Sequence, residues 1–494
     1  MLINSYSFLL FFIVVFLIYY SPFVRHKAQR QNLWILFSSY FFYAYADIRT
    51  IPLLIGSTIV FYLLGAWVKR LVEREEWGLA SGVTTFSTCL GVGILLYFKY
   101  LGFFVESFAD LLRSMGFQVS WGTLHILLPV GVSFFTFKLI SYVVEIHRER
   151  LEPSKDIIEF AAYVAFFPTI MSGPIDRPNN FLSQLRRSHD FNYPMAVDGC
   201  RQILWGMFTK MCIADNVGTV VDSVWENYTS QSATALIVVA MLYTIQMYAD
   251  FSGYSNLAIG VGKLMGFRIT KNFDHPFIGR NMAEFWRRWH MSLTSWITDY
   301  VYMPLNFMFR RVGNWGAIFA IIINMIIIGL WHGARWTYGV FGLYHGLLFI
   351  PLVLMGISNK TTKLIPGKYG LPKFTDFLGM VLTFCLFTLG ITIFRAPTLA
   401  DAWQYLAAIV TLQNGVHLGP VGTMIFSNIW VYLFIVVMLI LEWTTRQVEH
   451  PLQLPTNRIF SYRVVRWGLY FLIFVLIFLF TFTGESQDFL YFQF

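Results

Sequence analysis

The sequence predicts an all-α polytopic membrane protein of about 11–12 transmembrane helices, with re-entrant and interfacial helices around a central polar cavity. Three observations carry that expectation. Only 13% of the 494 residues are charged, about half the share a soluble surface uses. Mean hydropathy is +0.58, with 56% of residues hydrophobic and 19% aromatic. Apolar runs long enough to cross a bilayer, ~20 residues each, recur from one end of the chain to the other.

In order, those runs fall near 6–22, 32–46, 51–68, 79–98, 122–146, 194–217, 234–265, 314–332, 336–357, 375–394, 424–445 and 467–483. The first has no basic residues before it, whereas Arg25, Lys27 and Arg30 follow it, so a retained span is expected and not a cleaved leader. Residues 157–172 are apolar but short, and Gly173-Pro174 ends them. They are expected to be re-entrant or interfacial, because non-helical backbone survives at depth only where protein or a water-filled cavity satisfies it. Residues 108–121 are amphipathic, and 266–311 mix bases with aromatics, which suits helices in the headgroup plane with Trp and Tyr at the interface.

Lys and Arg collect in the loops 23–31, 69–76, 147–155, 266–311, 358–374 and 446–466. The stretches 218–233, 397–423 and 484–494 contain none. Basic loops stay cytoplasmic, so the alternation places both termini outside. The net charge of +9 concerns topology and anionic ligands, and no nucleic-acid partner is expected. Cys89, Cys200, Cys212 and Cys385 are scattered without metal spacing, so neither a disulfide framework nor a metal site is expected. No repeat or linker interrupts the chain, and residues 1–494 read as a single membrane domain.

Ionisable residues beside or inside apolar runs are the site candidates, since burying one in a bilayer costs a few kcal/mol. His332, in Trp331-His332-Gly333, closes the run GAIFAIIINMIIIGL; it reads equally as a functional imidazole or as an interfacial His beside a belt Trp. His345, thirteen residues on, is expected to be a hydrogen-bonded packing residue. Asp250 lies mid-way along QMYADFSGYSNLAIG with Tyr254 four residues later on the same helix face. The pair forms either a cavity wall or interhelical glue. Glu284, Arg287 and Arg288 share one helical turn, with His290 three residues beyond Arg287. The arginines suit either a bidentate phosphate clamp or anionic lipid heads. These residues alone fit a transporter or flippase as well as an enzyme.

At these positions the sequence resembles the membrane-bound O-acyltransferase family, in the bacterial branch that contains the alginate O-acetylation protein and the D-alanyl-lipoteichoic-acid transfer protein. The likeness runs through NLWILFSSYFFYAYAD, LPVGVSFFTF, MSGPIDR, YADFSGYSNLAIG, EFWRRWH, GLWHG and the terminal FLYFQF, and EFWRRWH followed by GLWHG about forty residues later is its most specific feature. One departure is Ala249 before Asp250, where related chains often carry Phe. The resemblance implies acyl transfer from a cytosolic thioester toward an extracytoplasmic hydroxyl by a multi-pass protein of the bacterial inner membrane. It assigns the essential histidine to His332 and the second to His290, both catalytic, and the motif carboxylate to Asp250. Asp250, Tyr254, Arg287 and Arg288 then become substrate-binding residues.

An imidazole with a pKa near ~6.5 suits a base that takes the proton of an attacking hydroxyl. An oxyanion stabiliser is required as well, and the sequence names none. No bound cofactor is implied. Acetyl-CoA is the expected donor, an acyl carrier protein the alternative, and a secreted SGNH-type partner the expected companion. The expected acceptor is an exopolysaccharide such as alginate or a cell-wall glycan, with D-alanylation of teichoic acid as the alternative.

Overall fold

A computed structural model of the protein describes residues 1–118, 126–358, 370–454, 458–481 and 489–490. Among them every regular element is helical. The first residues of the expected 122–146 span, most of the 358–374 loop and most of the tail 484–494 lie outside the described residues. The chain forms two compact units, Met1–Cys200 with Ala258–Thr270, and Arg201–Leu257 with Lys271–Phe494.

Helices stand where the apolar runs predict them, but not all are unbroken crossings. Among the described residues, seven runs are long and apolar enough to span a bilayer, or eight if Gly419–Ser427 and Ile429–Thr444, bent by 77°, form one span. The first of the seven, Ala28–Glu73, has 46 residues, and at 1.5 Å per residue it would be about 70 Å long, more than twice a bilayer core. It is broken at Asp47, whose φ of −160° is extended and whose side chain caps the next turn at Arg49. The expected spans 32–46 and 51–68 are its two halves. Tyr6–Tyr19 is short at 14 residues. The expected span 194–217 is interrupted after Tyr193–Met207 by a π-helical stretch, Phe208–Ala214, before Asp215–Glu226 continues.

In the first unit the Val132–His147 helix is buried along nearly its whole length. It packs against the Ile51–Glu73 and Trp77–Leu95 helices. Residues 159–176 are buried without exception, which excludes the interfacial alternative for that segment. Its helix Ile157–Ala165 starts with Asp156 accepting from the Ile158 amide. Beyond that helix, Phe167 N–H donates to Ser39 Oγ at 3.1 Å. Protein therefore satisfies the non-helical backbone here, as burial requires.

The long helix Ala233–Leu264 carries the FSGYS motif. Two glycine pairs let Tyr193–Met207 approach it. A Cβ on Gly206 would lie 2.7 Å from the Gly253 carbonyl, and one on Gly199 would lie 2.8 Å from the Gly260 carbonyl. The glycines are seven residues apart on both helices, so one small-residue face serves both contacts.

Candidate active site

Asn314–His332 and Trp336–Leu354 form a helical hairpin in the second unit. Their contact depends on glycine, since a Cβ on Gly329 would run into the Tyr338 carbonyl and one on Gly342 into the Met325 carbonyl. At the turn, a Cβ on Gly333 would collide with the Tyr338 ring. The aliphatic helix thus ends on His332, which is 7% exposed. That burial removes the reading of His332 as a side chain at the wet interface.

The RWH segment reaches the same place from another element. His290 is 1% exposed and stands at φ 45°, ψ 51°, immediately before the Met291–Ile297 helix. A non-glycine residue in the left-handed region is costly and persists only when its surroundings fix it. Asn272 supplies much of that fixation. Its carbonyl accepts from Met291 N–H at 2.8 Å, its Oδ1 from the Ser292 hydroxyl at 2.5 Å, and its Nδ2 donates to Ser255 Oγ at 3.1 Å. Ser255 belongs to the FSGYS helix, so one buried amide ties the histidine loop to the helix of Asp250.

Trp331 joins the two histidines. Its ring centroid lies 5.6 Å from that of His290 and 5.0 Å from that of His332. Phe251 covers His290 at 4.6 Å and Phe394 covers His332 at 5.2 Å. His345 is fully buried against Phe341 and Trp286. It is a packing residue as expected, but neither ring nitrogen has a hydrogen-bond partner among the described residues, because aromatic rings surround it.

Asp250 is 2% exposed and forms an ion pair. Lys210 Nζ lies 2.5 Å from Asp250 Oδ1 and 2.8 Å from Asp215 Oδ1. Lys210 stands in the π-helical stretch, where residues five apart come together, and Asp215 is five residues on. The second Asp250 oxygen accepts from Leu490 N–H at 3.0 Å. Phe489 packs on Tyr254 at 4.6 Å and lies 4.3 Å from the Lys210 ammonium. Part of the terminal FLYFQF thus sits directly on the Asp250 cluster. Sequence reasoning missed Lys210, Asp215 and Asn272. A charged pair five apart inside an expected span was the available signal.

The arginines depart from a free clamp. Arg288 Nη1 donates to the Asp274 carbonyl and carboxylate, both at 2.9 Å, and Arg287 donates to the Ser358 carbonyl at 2.8 Å. Burial would raise the Asp274 carboxyl, but Lys271 and Arg288 outweigh it and hold it below the usual range. Glu284 pairs with Arg280 at 2.7 Å. Trp286, Trp289 and Trp296 are buried, which corrects the expectation of interfacial tryptophans: they fill protein between helices instead of lying among headgroups.

Fold and site together define a multi-pass helical membrane protein with a buried polar centre of two histidines and an ion cluster. The profile of the membrane-bound O-acyltransferase family matches residues 147–362. A probable alginate O-acetylase, AlgI, of Pseudomonas aeruginosa is 36% identical over 419 residues, 83% of this chain and 75% of the relative. A peptidoglycan O-acetyltransferase of Helicobacter pylori is 30% identical over 78% of this chain and 75% of its own length. A teichoic acid D-alanyltransferase of Streptococcus thermophilus is 32% identical over 57% of this chain and 71% of its own length. The chain belongs to the membrane-bound O-acyltransferase family and is an acyltransferase.

Proposed function

We propose that this acyltransferase moves an acetyl group from a cytosolic thioester, acetyl-CoA, to an outer-side hydroxyl, for O-acetylation of an extracytoplasmic polysaccharide such as alginate or a cell-wall glycan. The observation that carries the reading is the convergence of His332 and His290, buried and from separate elements, on the Trp331 indole. His332 takes the proton of the attacking hydroxyl as its oxygen meets the thioester carbonyl, and the CoA thiolate leaves. His290, beside it, steadies the charge that develops. Asp250 and Tyr254 line the substrate path, with Lys210 holding the Asp250 carboxylate. Arg287 and Arg288 contribute positive charge on the donor side, Arg288 with its guanidinium already turned toward Asp274.

Acetyl is favoured over D-alanyl because the O-acetylating relatives align over 78–83% of this chain and the D-alanyltransferase over 57%. An acyl carrier protein is the alternative donor. The setting is the bacterial inner membrane, with an SGNH-type protein on the outer side completing the transfer. The test is free-CoA release from acetyl-CoA by purified protein with a hydroxyl acceptor. His332→Ala should lower release about 10²–10⁴-fold, and release that survives in the mutant would remove His332 from the mechanism.

A further inference from the structure

The first unit carries a second basic feature, outside the spans. A concavity of about 630 Å³ opens where the Pro178–Leu185 helix and the strand of chain after it meet residues 266–270. Arg187 and Arg268 line it, both exposed and neither in an ion pair with a described residue. Asn180, Ser183, His189 and Thr270 add polar groups, and among the described residues no carboxylate lines the groove.

Its walls are held by bridging hydrogen bonds. Gln184 clasps Arg268 in both directions, Nε2 donating to the Arg268 carbonyl at 3.0 Å while Oε1 accepts from the Arg268 amide at 2.8 Å. Thr270 gives its amide and hydroxyl to Asp176 Oδ1 at 2.8 and 2.7 Å. The ring of His189 bonds the Gln184 carbonyl at 3.0 Å. The backbone that carries the arginines is therefore fixed, while the guanidinium groups stay available. Such forks match phosphate oxygens in pairs. Residues 266–311 are among the basic stretches whose charge assigns them to the cytoplasmic side.

We propose that this groove binds a phosphate group through Arg187 and Arg268. A nucleotide such as the adenosine diphosphate part of CoA and the headgroup of an anionic phospholipid both carry that chemistry; the nucleotide source rests on the function proposed above, the phosphate chemistry does not.

The test uses the purified full chain with adenosine 3′,5′-diphosphate as probe, measured by titration calorimetry. Replacing both arginines, Arg187→Gln with Arg268→Gln, should weaken binding about 10- to 100-fold. Lys at both positions should recover part of it, since charge returns without the fork. Ser183→Glu, which sets a carboxylate in the groove, should weaken binding independently. A second arm compares nanodiscs of phosphatidylcholine with and without phosphatidylglycerol. Nucleotide affinity unchanged in the Gln pair, with loss of phosphatidylglycerol binding, assigns the phosphate to lipid. No change in either arm overturns the groove as a phosphate site. Because the readout is binding, wild-type CoA release alongside an unaltered Gln pair would reject the groove and leave the acetyl-transfer reading intact. Absence of wild-type release would reject that reading instead.

Discussion

The ammonium of Lys210 lies 2.5 Å from the carboxylate of Asp250, both nearly out of contact with solvent. The local helix form explains the pairing. In the π-helical stretch Phe208–Ala214 the backbone is wider by one residue per turn. Lys210 therefore meets Asp215 within its own helix while reaching across the Gly206–Gly253 contact to Asp250. One cation thus serves two carboxylates, and Asp250 belongs to a network of charges.

Lys210→Met should for that reason be among the most destabilising substitutions in the second unit. It leaves the buried Asp250 and the half-buried Asp215 without their cation, and breaking a buried pair costs about 3–5 kcal/mol. Thermal unfolding in detergent, followed by retained monodisperse protein, should shift markedly downward. Adding Asp250→Asn and Asp215→Asn should restore most of the loss, and a triple variant no more stable than Lys210→Met would contradict the network.

The backbone bond from Leu490 to Asp250 gives a separable test. Leu490→Ala keeps the amide donor and Leu490→Pro removes it. Transfer activity should fall in the Pro variant well beyond any change in the Ala variant. Equal activities would show that the 3.0 Å bond has no part in holding Asp250.

Much of this arrangement was legible in the sequence because apolar runs are long and the costs of burial are large. His332 at the end of an aliphatic helix, Asp250 within another, and the helical class itself follow from hydropathy. Burial of Trp286 and Trp289 did not follow, since a tryptophan beside arginines reads the same whether it faces headgroups or a neighbouring helix. Asn272 was illegible for a different reason: a lone amide in a polar loop gives no sign that its three hydrogen bonds set the backbone of His290 and link two elements far apart in sequence. The π-helical stretch changes register without any Pro or Gly to mark it.

The charge asymmetry of the loops makes a prediction about sidedness. Cys89 and Cys200 are exposed and would be replaced first. Val416→Cys, in a stretch free of Lys and Arg, should then react with an impermeant thiol reagent added to intact cells. Lys155→Cys, in a basic loop, should react only after the membrane is opened. The reverse pattern would overturn both the orientation and the cytosolic side of the donor.

His290 needs a test that separates its chemistry from its conformation, because the residue does two things at once. Its backbone occupies the left-handed region at φ 45°, and its ring meets Trp331 beside His332. Alanine would remove the imidazole and also carry the strain of about 1–3 kcal/mol that such a position imposes. Asparagine tolerates the left-handed region and keeps a polar side chain, so His290→Asn should melt close to wild type, while His290→Ala should be less stable. If the imidazole acts in the reaction, the Asn variant should bind acetyl-CoA normally yet release CoA about 10²-fold more slowly or worse, a loss in kcat with KM for the donor preserved. Should the Asn variant turn over like wild type while the Ala variant loses both stability and activity, His290 would be a residue that shapes the loop, and His332 would stand alone as the acid–base group.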